Sequence, residues 1–289
     1  MNRIPVAVLS VLFVLASLSP VSAQLLVARD GPVVYGHHHL NVSSIEAHKK
    51  FFVDTLGGTA IKIGANNAEI VKFPNVLIFF RQQAPTGGTK GTTVNHIGFS
   101  VPNLRQAIDK VKANGYRMIT REEASADREV KDDIAGPPAA GGGSIAFIMG
   151  PDDTKVELVE IKTQAIPIAL HHVHFFNPKN AEMRAWYVKV FGGKPGVGGG
   201  GAFLTATLPG VSLNFSPSPD PVVGTQGRSV DHVGFEVKNL EEFCRTLEAD
   251  GIKLSVAYRK VPALNIAIAF ITDPWGTYIE LTEGLDKVS

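Results

Sequence analysis

The sequence predicts an α+β protein made of four related modules, each a strand followed by a helix and then by short strands. Four segments begin alike, with one histidine at the same place in each: His37, His96, His172 and His232. The third histidine follows the first by 135 residues and the fourth follows the second by 136. This near-equality identifies the chain as a duplicated domain. We therefore predict two domains of two modules each, at residues 33–162 and 168–284.

Composition and charge narrow the class of function. The chain has 289 residues, with 28 Lys+Arg against 27 Asp+Glu, and 44% of its residues are hydrophobic. A formal net charge of +1 provides no field to hold a nucleic acid or an anionic membrane. The chain is longer than a single hydrophobic core usually supports, which favours two domains. The single cysteine, Cys244, excludes an internal disulfide and a cysteine-rich zinc site.

The first residues have the pattern of a secretory signal, which we predict at residues 1–23. Arg3 provides the positive start, an apolar run extends from Val6 to Leu18, and Val21-Ser22-Ala23 supplies small residues for cleavage after Ala23. The apolar run of about 13 residues is shorter than the ~20 that a membrane-spanning helix needs, so we expect no stable membrane anchor. The expected location is periplasmic or extracellular.

The modules repeat in their predicted elements as well. Each opens with a β-branched and aromatic run, typical of a strand, and continues into a helix that stops at glycine, which accepts left-handed backbone. The predicted helices are Ser44–Leu56, Leu104–Asn114, Asn180–Phe191 and Leu240–Asp250. The clearest later strands are Val76–Phe80, Ile145–Met149, Val156–Ile161, Phe203–Leu208, Val211–Phe215, Ile266–Ile271 and Tyr278–Thr282. The aromatic pairs Phe51-Phe52 and Trp186-Tyr187 are predicted to pack in the core.

One segment makes the second module longer than the fourth. Between Arg121 and Ser144 the second module holds 13 additional residues, and the segment is rich in glycine and proline over residues 136–143. A loop of this length is either a cover over a site or a spacer. The sequence leaves both interpretations open.

Two sets of two histidines and one glutamate are the candidate metal ligands. A glutamate occupies the same place on the last strand of each copy, at Glu157 and Glu280. The predicted sets are His37, His96 and Glu157 in the first copy, and His172, His232 and Glu280 in the second. Two imidazoles and one carboxylate on one face of an ion leave positions for water or substrate, which suits Zn, Mn, Ni or Fe. An exchange of modules, which would join His37 to His232 and Glu280, stays open.

Strand alternation adds a second histidine to two of the strands. Side chains two residues apart share a face of a strand, so His39 lies with His37, and His174 lies with His172. His39 and His174 are therefore candidate catalytic bases or further ligands.

In the even modules the equivalent position is glycine, at Gly98 and Gly234, which leaves room beside the metal. By the same alternation Glu160 and Glu283 point away from the site, and we interpret them as surface charges.

With these residues the chain resembles the vicinal oxygen chelate superfamily, also called the glyoxalase/bleomycin resistance/dioxygenase superfamily. The resemblance rests on the four histidine-bearing starts, on the helices that stop at Gly57-Gly58 and Gly192-Gly193, and on the ending Asp273–Leu281. It covers residues 33–284. It implies βαβββ modules, paired so that each pair curls a mixed sheet around a metal or ligand cavity in a glyoxalase-like domain. In the first copy Asp153 replaces the glycine of the ending, which makes that turn a departure from the family.

The resemblance also implies where a fourth ligand would lie. Some members carry Glu or Gln on the last strand of the first module, a position that our alignment gives to Ile78 and Asn214. Ile78 cannot bind a metal, whereas Asn214 is a candidate weak fourth ligand through its amide oxygen. Members that cleave aromatic rings use an additional His and a Tyr. Here the tyrosine position holds Phe270, and residues 203–215 contain no histidine.

The favoured function is that of an exported, divalent-metal-dependent enzyme, a lyase or isomerase of the glyoxalase type. It would act on a small oxygen-rich substrate by Lewis-acid/enediolate chemistry. The alternative is a metal-free protein that binds and sequesters a small molecule, and an extradiol-type dioxygenase is disfavoured. Because both copies keep the ligand set, we predict two divalent ions per chain. The expected partner is a small-molecule substrate, and a homodimer stays open.

Overall fold

Two mixed sheets make up the part of the chain that the structure describes. The structure is a computed structural model, and it describes residues 33–65, 67–139 and 141–287. The predicted export signal, residues 1–23, lies outside the described residues. Within the described ranges, no helix combines the length and the apolar character needed to cross a membrane.

The first sheet combines the first and the fourth modules. Its strands are β1 (Val33–Val42), β2 (Thr59–Ile63), β3 (Ala68–Phe73), β4 (Val76–Gln82), β15 (Val230–Val237), β16 (Leu254–Val261), β17 (Ile266–Thr272) and β18 (Tyr278–Glu283). They follow the order β16-β17-β18-β15-β1-β4-β3-β2. The antiparallel pairing of β1 with β15 forms the seam between the two modules.

The second sheet combines the second and the third modules. Its strands are β5 (Val94–Val101), β6 (Arg117–Met118), β7 (Val130–Lys131), β8 (Ile134–Ala135), β9 (Ile145–Met149), β10 (Lys155–Glu160), β11 (Ala169–Phe176), β12 (Lys194–Gly198), β13 (Phe203–Leu208) and β14 (Val211–Ser216). Their order is β12-β13-β14-β11-β5-β10-β9-β8-β7, with β6 paired to β9. Here the seam is the antiparallel pairing of β11 with β5.

The α+β class and the four βαβββ modules are confirmed, but the prediction that each copy pairs its own two modules is wrong. All four modules open with a similar strand, so each could form a seam with any other. The lengths of the linkers determine which modules pair. The short linker 161–168 keeps the second and third modules in one sheet. The longer linkers 83–93 and 217–229 pass between the sheets and pair with each other through the bridge of Thr92 to Val223.

The helices cover one face of each sheet. They are α1 (Ile45–Lys49), α2 (Leu104–Ala113), α3 (Thr120–Glu123), α4 (Asn180–Phe191) and α5 (Leu240–Ala249). The four predicted helices are confirmed, although the first continues from α1 as a π-helical segment, Lys50–Thr55. Left-handed glycines follow these four helices, at Gly57, Gly115, Gly192 and Gly251.

Glu160 and Glu283 turn away from the candidate site, as predicted, but they are more than surface charges. The Glu160 carboxylate accepts the backbone N–H of Leu104 at 3.2 Å, and Glu283 accepts that of Leu240 at 3.1 Å. These are the first residues of α2 and α5. Negative charge is favourable at the N-terminus of a helix, so each glutamate fixes a helix to the last strand of its module.

The predicted aromatic core is confirmed. Phe51, Phe52 and Tyr187 are fully buried, and Trp186 packs against the same cluster while partly buried. The hydroxyl of Tyr187 donates to Asp273 Oδ2 at 3.0 Å, so the polar end of this ring is satisfied inside the core.

The turn before the last strand has a left-handed residue at the same position in both copies despite the change of residue. Asp153 has φ 54° and Gly276 has φ 96°, so both adopt the left-handed region. Glycine fits there without strain, whereas the aspartate does so at a small cost. A glycine of the neighbouring linker packs against each turn, Gly88 against Asp153 and Gly224 against Gly276.

The side chain of Asn75 connects the two sheets. Its Nδ2 donates to the carbonyls of Leu170 and Gly210, both at 2.9 Å, and its Oδ1 accepts the N–H of Leu170 at 2.8 Å. We expect Asn75→Ala to lower the free energy of unfolding by about 2–4 kcal/mol, because it removes three hydrogen bonds of roughly 1 kcal/mol each. Urea unfolding measures this.

The matched control is Asn114→Ala. The Asn114 side chain donates one hydrogen bond, to the carbonyl of Lys110 in its own helix, so its loss is expected to cost less. Equal losses from the two variants would contradict the observed contact between the first and third modules.

Candidate functional site

The seam of the second sheet brings four of the candidate residues together. Across it His174 is opposite His96, and His172 is opposite Gly98. On the other side of β5, Glu157 is in register with Gly98. These side chains share one face of three neighbouring strands, so two imidazoles and a carboxylate converge over Gly98.

The seam of the first sheet repeats this arrangement. His39 is opposite His232, and His37 is opposite Gly234, while Glu280 is in register with Gly234 on the far side of β15. The two sites therefore have the same backbone plan.

The structure forms two candidate metal groups among the residues it describes. The His96 site consists of His96, Glu157, His172 and His174, and the His37 site consists of His37, His232 and Glu280. The predicted grouping within each copy is therefore wrong, and the exchanged grouping that the sequence left open is the observed one. The reason is the pairing of the modules, since each site is built across a seam and each seam joins two different copies.

The donor atoms of the His96 site lie at metal-ligand spacing. His96 Nε2 is 2.8 Å from Glu157 Oε2 and 3.2 Å from His172 Nε2. Glu157 Oε2 is 3.2 Å from His172 Nε2. Ligand atoms bound at about 2.1 Å from one ion lie roughly 3 Å apart, so these three atoms fit around a divalent ion. All three side chains are buried.

The His37 site is arranged in the same way. His37 Nε2 and His232 Nε2 each lie 2.9 Å from Glu280 Oε2. The Nδ1 atom of His37 is buried without a hydrogen-bond partner among the described residues. The donor set again has two imidazoles and one carboxylate, which suits first-row divalent metals.

A polar residue before each even-module histidine orients the imidazole. His96 Nδ1 donates to Asn95 Oδ1 at 2.9 Å, and His232 Nδ1 donates to Asp231 Oδ1 at 2.7 Å. A hydrogen bond at Nδ1 directs the Nε2 lone pair to the site, as is common around metal-binding histidines. The sequence analysis missed both residues, although each immediately precedes an aligned histidine.

Burial keeps the imidazole of His96 neutral. It lowers the pKa of His96 to about 3, against the opposing attraction of Glu157. Burial alone would raise the pKa of Glu157, but the neighbouring imidazoles of His172 and His96 outweigh it and hold that pKa well below its usual range. A neutral His96 and an ionised Glu157 thus direct lone pairs to one point, which a cation stabilises.

The His37 site differs in charge. Burial opposes protonation of His232, yet the hydrogen bonds to Asp231 and Glu280 outweigh it and raise the pKa of His232. A proton therefore competes more strongly with a metal ion at His232 than at His96. The carboxylate of Asp231, where the other site has the neutral Asn95, causes this difference.

His174 and His39, the predicted catalytic bases, occupy equivalent positions with different neighbours. His174 Nε2 contacts Ser216 Oγ at 2.8 Å, and its Nδ1 is buried without a partner among the described residues. His39 stacks on Phe79, and it lies outside the group that offers ligand atoms. Only His174 thus stands within ligand distance of a metal group.

The structure corrects one position of the proposed fourth ligand. Asn214 is in register with His174, and Phe79 has the same register to His39. Phe79, and not Ile78, is therefore the counterpart of Asn214, and Ile78 packs in the core on the other face of the sheet. The Oδ1 of Asn214 accepts a hydrogen bond from Ser212 at 2.7 Å, so the amide oxygen is already engaged.

A cavity of about 410 Å³ opens beside the His96 site. His96, Glu157 and His174 form part of its wall. The long segment after Arg121 forms another part, through Glu123, Ser125, Asp127, Arg128 and Pro138. The segment is therefore a cover over a site rather than a spacer, and the site it covers is the one shared by the second and third modules.

Comparison with known proteins agrees with this geometry. A model of the Glyoxalase/Bleomycin resistance protein/Dioxygenase superfamily matches residues 34–158 and 169–281. The lactoylglutathione lyase of Escherichia coli O157:H7 is 39% identical over 72 residues, which are 25% of this chain and 44% of that protein. The lactoylglutathione lyase of Salmonella typhimurium is 36% identical over an equal length. The chain thus spans less than half the length of these curated relatives.

The fold is similar to that of a solved plant structure. Glyoxalase I from Zea mays superposes with a TM-score of 0.64 at 16% sequence identity, over 88% of this chain and 94% of that chain. At this identity the similarity concerns the fold alone.

Gly98 is needed for the position of His172. A Cβ atom at residue 98 would overlap the imidazole ring of His172. We expect Gly98→Ala to displace this ring, to abolish zinc uptake at the His96 site and to lower the free energy of unfolding by about 1–3 kcal/mol, as overpacking does. Zinc titration calorimetry and urea unfolding measure the two effects.

Gly36→Ala is the matched control for a strand glycine. Its new Cβ would lie 3.4 Å from the nearest atom, the backbone nitrogen of Glu236, which is an ordinary contact. Full zinc uptake by Gly98→Ala would show that His172 is not a ligand.

Proposed function

We propose a function for this chain on the premise that it belongs to the Glyoxalase/Bleomycin resistance protein/Dioxygenase superfamily. The chain is a divalent-metal-dependent lyase or isomerase that acts on a small oxygen-rich substrate. The observation that carries the proposal is the cavity of about 410 Å³ that opens onto His96, Glu157 and His174. Ligand cavities of a few hundred cubic ångströms suit small molecules. A buried set of metal-ligating atoms in the wall of such a cavity is an arrangement for chemistry rather than for structure alone.

The proposal places the reaction at the His96 site because the lining of the two sites differs. On the strand beside β11, the site face carries Ser212 and Asn214. On the strand beside β1, the same positions hold Leu77 and Phe79. At these two positions, polar side chains are therefore present only beside the His96 site.

The apolar lining of the His37 site continues across its sheet. Leu77 and Ile70 on one side belong to the same apolar cluster as Ile266 and Ile268 on the other, with Phe79 and Phe270 packed against it. Leu77 and Phe79 therefore make the lining of the His37 site more apolar than that of the His96 site. We therefore assign the His37 site a metal-binding role without turnover.

The residues of the His96 site fit a divalent ion by chemistry and by spacing. The ion would be held by His96 Nε2, Glu157 Oε2 and His172 Nε2. When bound there it supplies Lewis acidity, which polarises a substrate carbonyl and offsets developing negative charge on oxygen in Lewis-acid/enediolate-type chemistry. Zinc, manganese, nickel and iron all accept this donor set.

His174 is the proton acceptor of the proposed reaction. With its Nε2 donating to Ser216 Oγ at 2.8 Å, its Nδ1 carries a lone pair that no described residue occupies. Burial, reinforced by the neighbouring His96 and His172, holds the pKa of His174 well below its usual range. The imidazole is therefore unprotonated at neutral pH and can accept a proton from a bound substrate.

Turnover is expected to depend on His96 and not on its counterpart His232. The assay is the exchange of the hydrogen next to the oxygen-bearing carbon of small hydroxy- and oxo-compounds with deuterium from the solvent, followed by NMR in zinc-loaded protein. We expect His96→Ala to lower kcat/KM by at least about 100-fold, in line with the loss of charge stabilisation at a reacting oxygen. His232→Ala is expected to lose one zinc ion and to retain turnover.

Atomic absorption on the same samples measures the zinc content. His174→Ala is expected to lose turnover and to keep its zinc, which separates a base from a ligand. Loss of turnover in His232→Ala and not in His96→Ala would reverse the assignment of the sites. If the wild-type protein binds no zinc, the enzyme proposal fails and a metal-free binding protein takes its place.

The proposal includes export of the protein. It is supported by Arg3, by the apolar run from Val6 to Leu18 and by the small residues that end at Ala23. We expect N-terminal sequencing of protein recovered outside the cytoplasm to begin at Gln24. Recovery of the uncleaved chain from the cytoplasm would contradict this.

A further inference from the structure

The segment that lengthens the second module contributes charged side chains to the cavity. In the second module 61 residues separate His96 from Glu157, whereas in the fourth only 48 separate His232 from Glu280. The additional residues lie in the segment that contains Arg128, which lines the cavity with Glu157 and His174. The segment therefore changes what the cavity can bind without changing the ligand set.

Arg128 is held in place by backbone carbonyl groups. Its Nη1 donates to the carbonyl of Gly136 at 2.7 Å and to that of Gly143 at 3.0 Å. Both bonds use one nitrogen of the guanidinium, which leaves Nη2 and Nε for a ligand. A tethered arginine binds with a smaller loss of side-chain entropy than a free one, which favours recognition.

Arg128 has no salt bridge to a described carboxylate, although the charges of Glu157 and Asp127 act on it at longer range. No carboxylate oxygen of a described residue lies within 4.0 Å of a guanidinium nitrogen of Arg128. Lys155, the other cation of the cavity, differs in this respect. Lys155 Nζ lies 2.6 Å from Glu123 Oε2, and the other oxygen of Glu123 pairs with Lys90. Glu157 is in turn engaged by His96 and His172.

Partial burial makes an anion at Arg128 favourable. Burial lowers the pKa of Arg128, while the charge of Glu157 opposes the shift, so the guanidinium has lost part of its hydration. A divalent ion at the His96 site would add two positive charges against the single negative charge of Glu157. With the ion bound, the positive charges of the ion, Arg128 and Lys155 exceed the negative charges of the lining residues Glu123, Asp127 and Glu157, which favours an anionic ligand.

We propose that Arg128 is a specificity-determining residue that binds a carboxylate group of the substrate, which makes that substrate a small hydroxy- or oxo-carboxylate. This rests on the function proposed above and deepens it. A guanidinium matches a carboxylate in shape and offers two parallel N–H donors. The oxygen-bearing carbon next to the carboxylate is then directed to the His96 site, and Lys155 stays paired with Glu123.

The test uses lactate and lactamide, which share a skeleton and differ only in the carboxylate. Both are titrated by calorimetry into zinc-loaded and metal-free protein. We expect Arg128→Gln to weaken lactate binding by about 10- to 100-fold, the value of a hydrogen bond to a charged group, and to leave lactamide binding unchanged. Arg128→Lys is expected to recover part of the loss.

The control is Arg117→Gln, an exposed arginine that pairs with Glu122 at the start of the same segment. It is expected to bind lactate as the wild type does. Equal weakening of lactate and lactamide in Arg128→Gln, or no binding of lactate to the wild type, overturns the proposal. Arg128-dependent binding of inorganic phosphate in place of lactate overturns the carboxylate assignment.

Zinc uptake measured in the same samples separates this inference from the proposed function. If the wild type takes up no zinc, the enzyme proposal fails, while the lactate titrations of metal-free protein still decide the role of Arg128. If zinc binds and Arg128→Gln changes nothing, the enzyme proposal stands and the carboxylate site falls.

Discussion

The antiparallel pairing of β5 with β11 is the interaction on which the candidate site depends. It sets His172 opposite Gly98 and His174 opposite His96, and parallel pairing with β10 adds Glu157. A shift of this register by one residue would turn the histidines to the helix-covered face of the sheet. Gly98 allows the close approach, because its missing Cβ is the space that the His172 ring occupies.

The same pairing of strands occurs at both seams, but the side chains beside the two seams differ. Both keep a glycine under one imidazole, and both bring two histidines and one glutamate within ligand distance. The neighbouring strands then diverge, with serine and asparagine beside one site and leucine and phenylalanine beside the other. Because the two sites share a backbone arrangement, this divergence lies in the side chains alone. It makes the neighbouring strand polar at these two positions only beside the His96 site.

Electrostatics separates the sites further. Asn95 and Asp231 perform one task, to orient an imidazole through Nδ1, but only Asp231 adds a negative charge. The imidazole of His232 consequently favours a proton, whereas burial dominates at His96. At the cavity, Lys155 is paired with Glu123, whereas Arg128 of the inserted segment has no salt bridge of this kind to a described carboxylate.

The sequence by itself determined the modules, their four helices, the clearest strands and the candidate ligands, because these follow from local periodicity, from glycine stops and from an internal repeat. Helices Asn180–Phe191 and Leu240–Ala249 lie where their patterns predict. The tertiary structure alone decided which modules share a sheet, and hence that His172 joins His96 and not His232. Four similar opening strands offer equivalent edges, and no local pattern distinguishes one partner from another. The choice is made by linkers and contacts far apart in the chain, such as Asn75 with Leu170, and the position of Arg128 over the cavity depends on the same long-range packing.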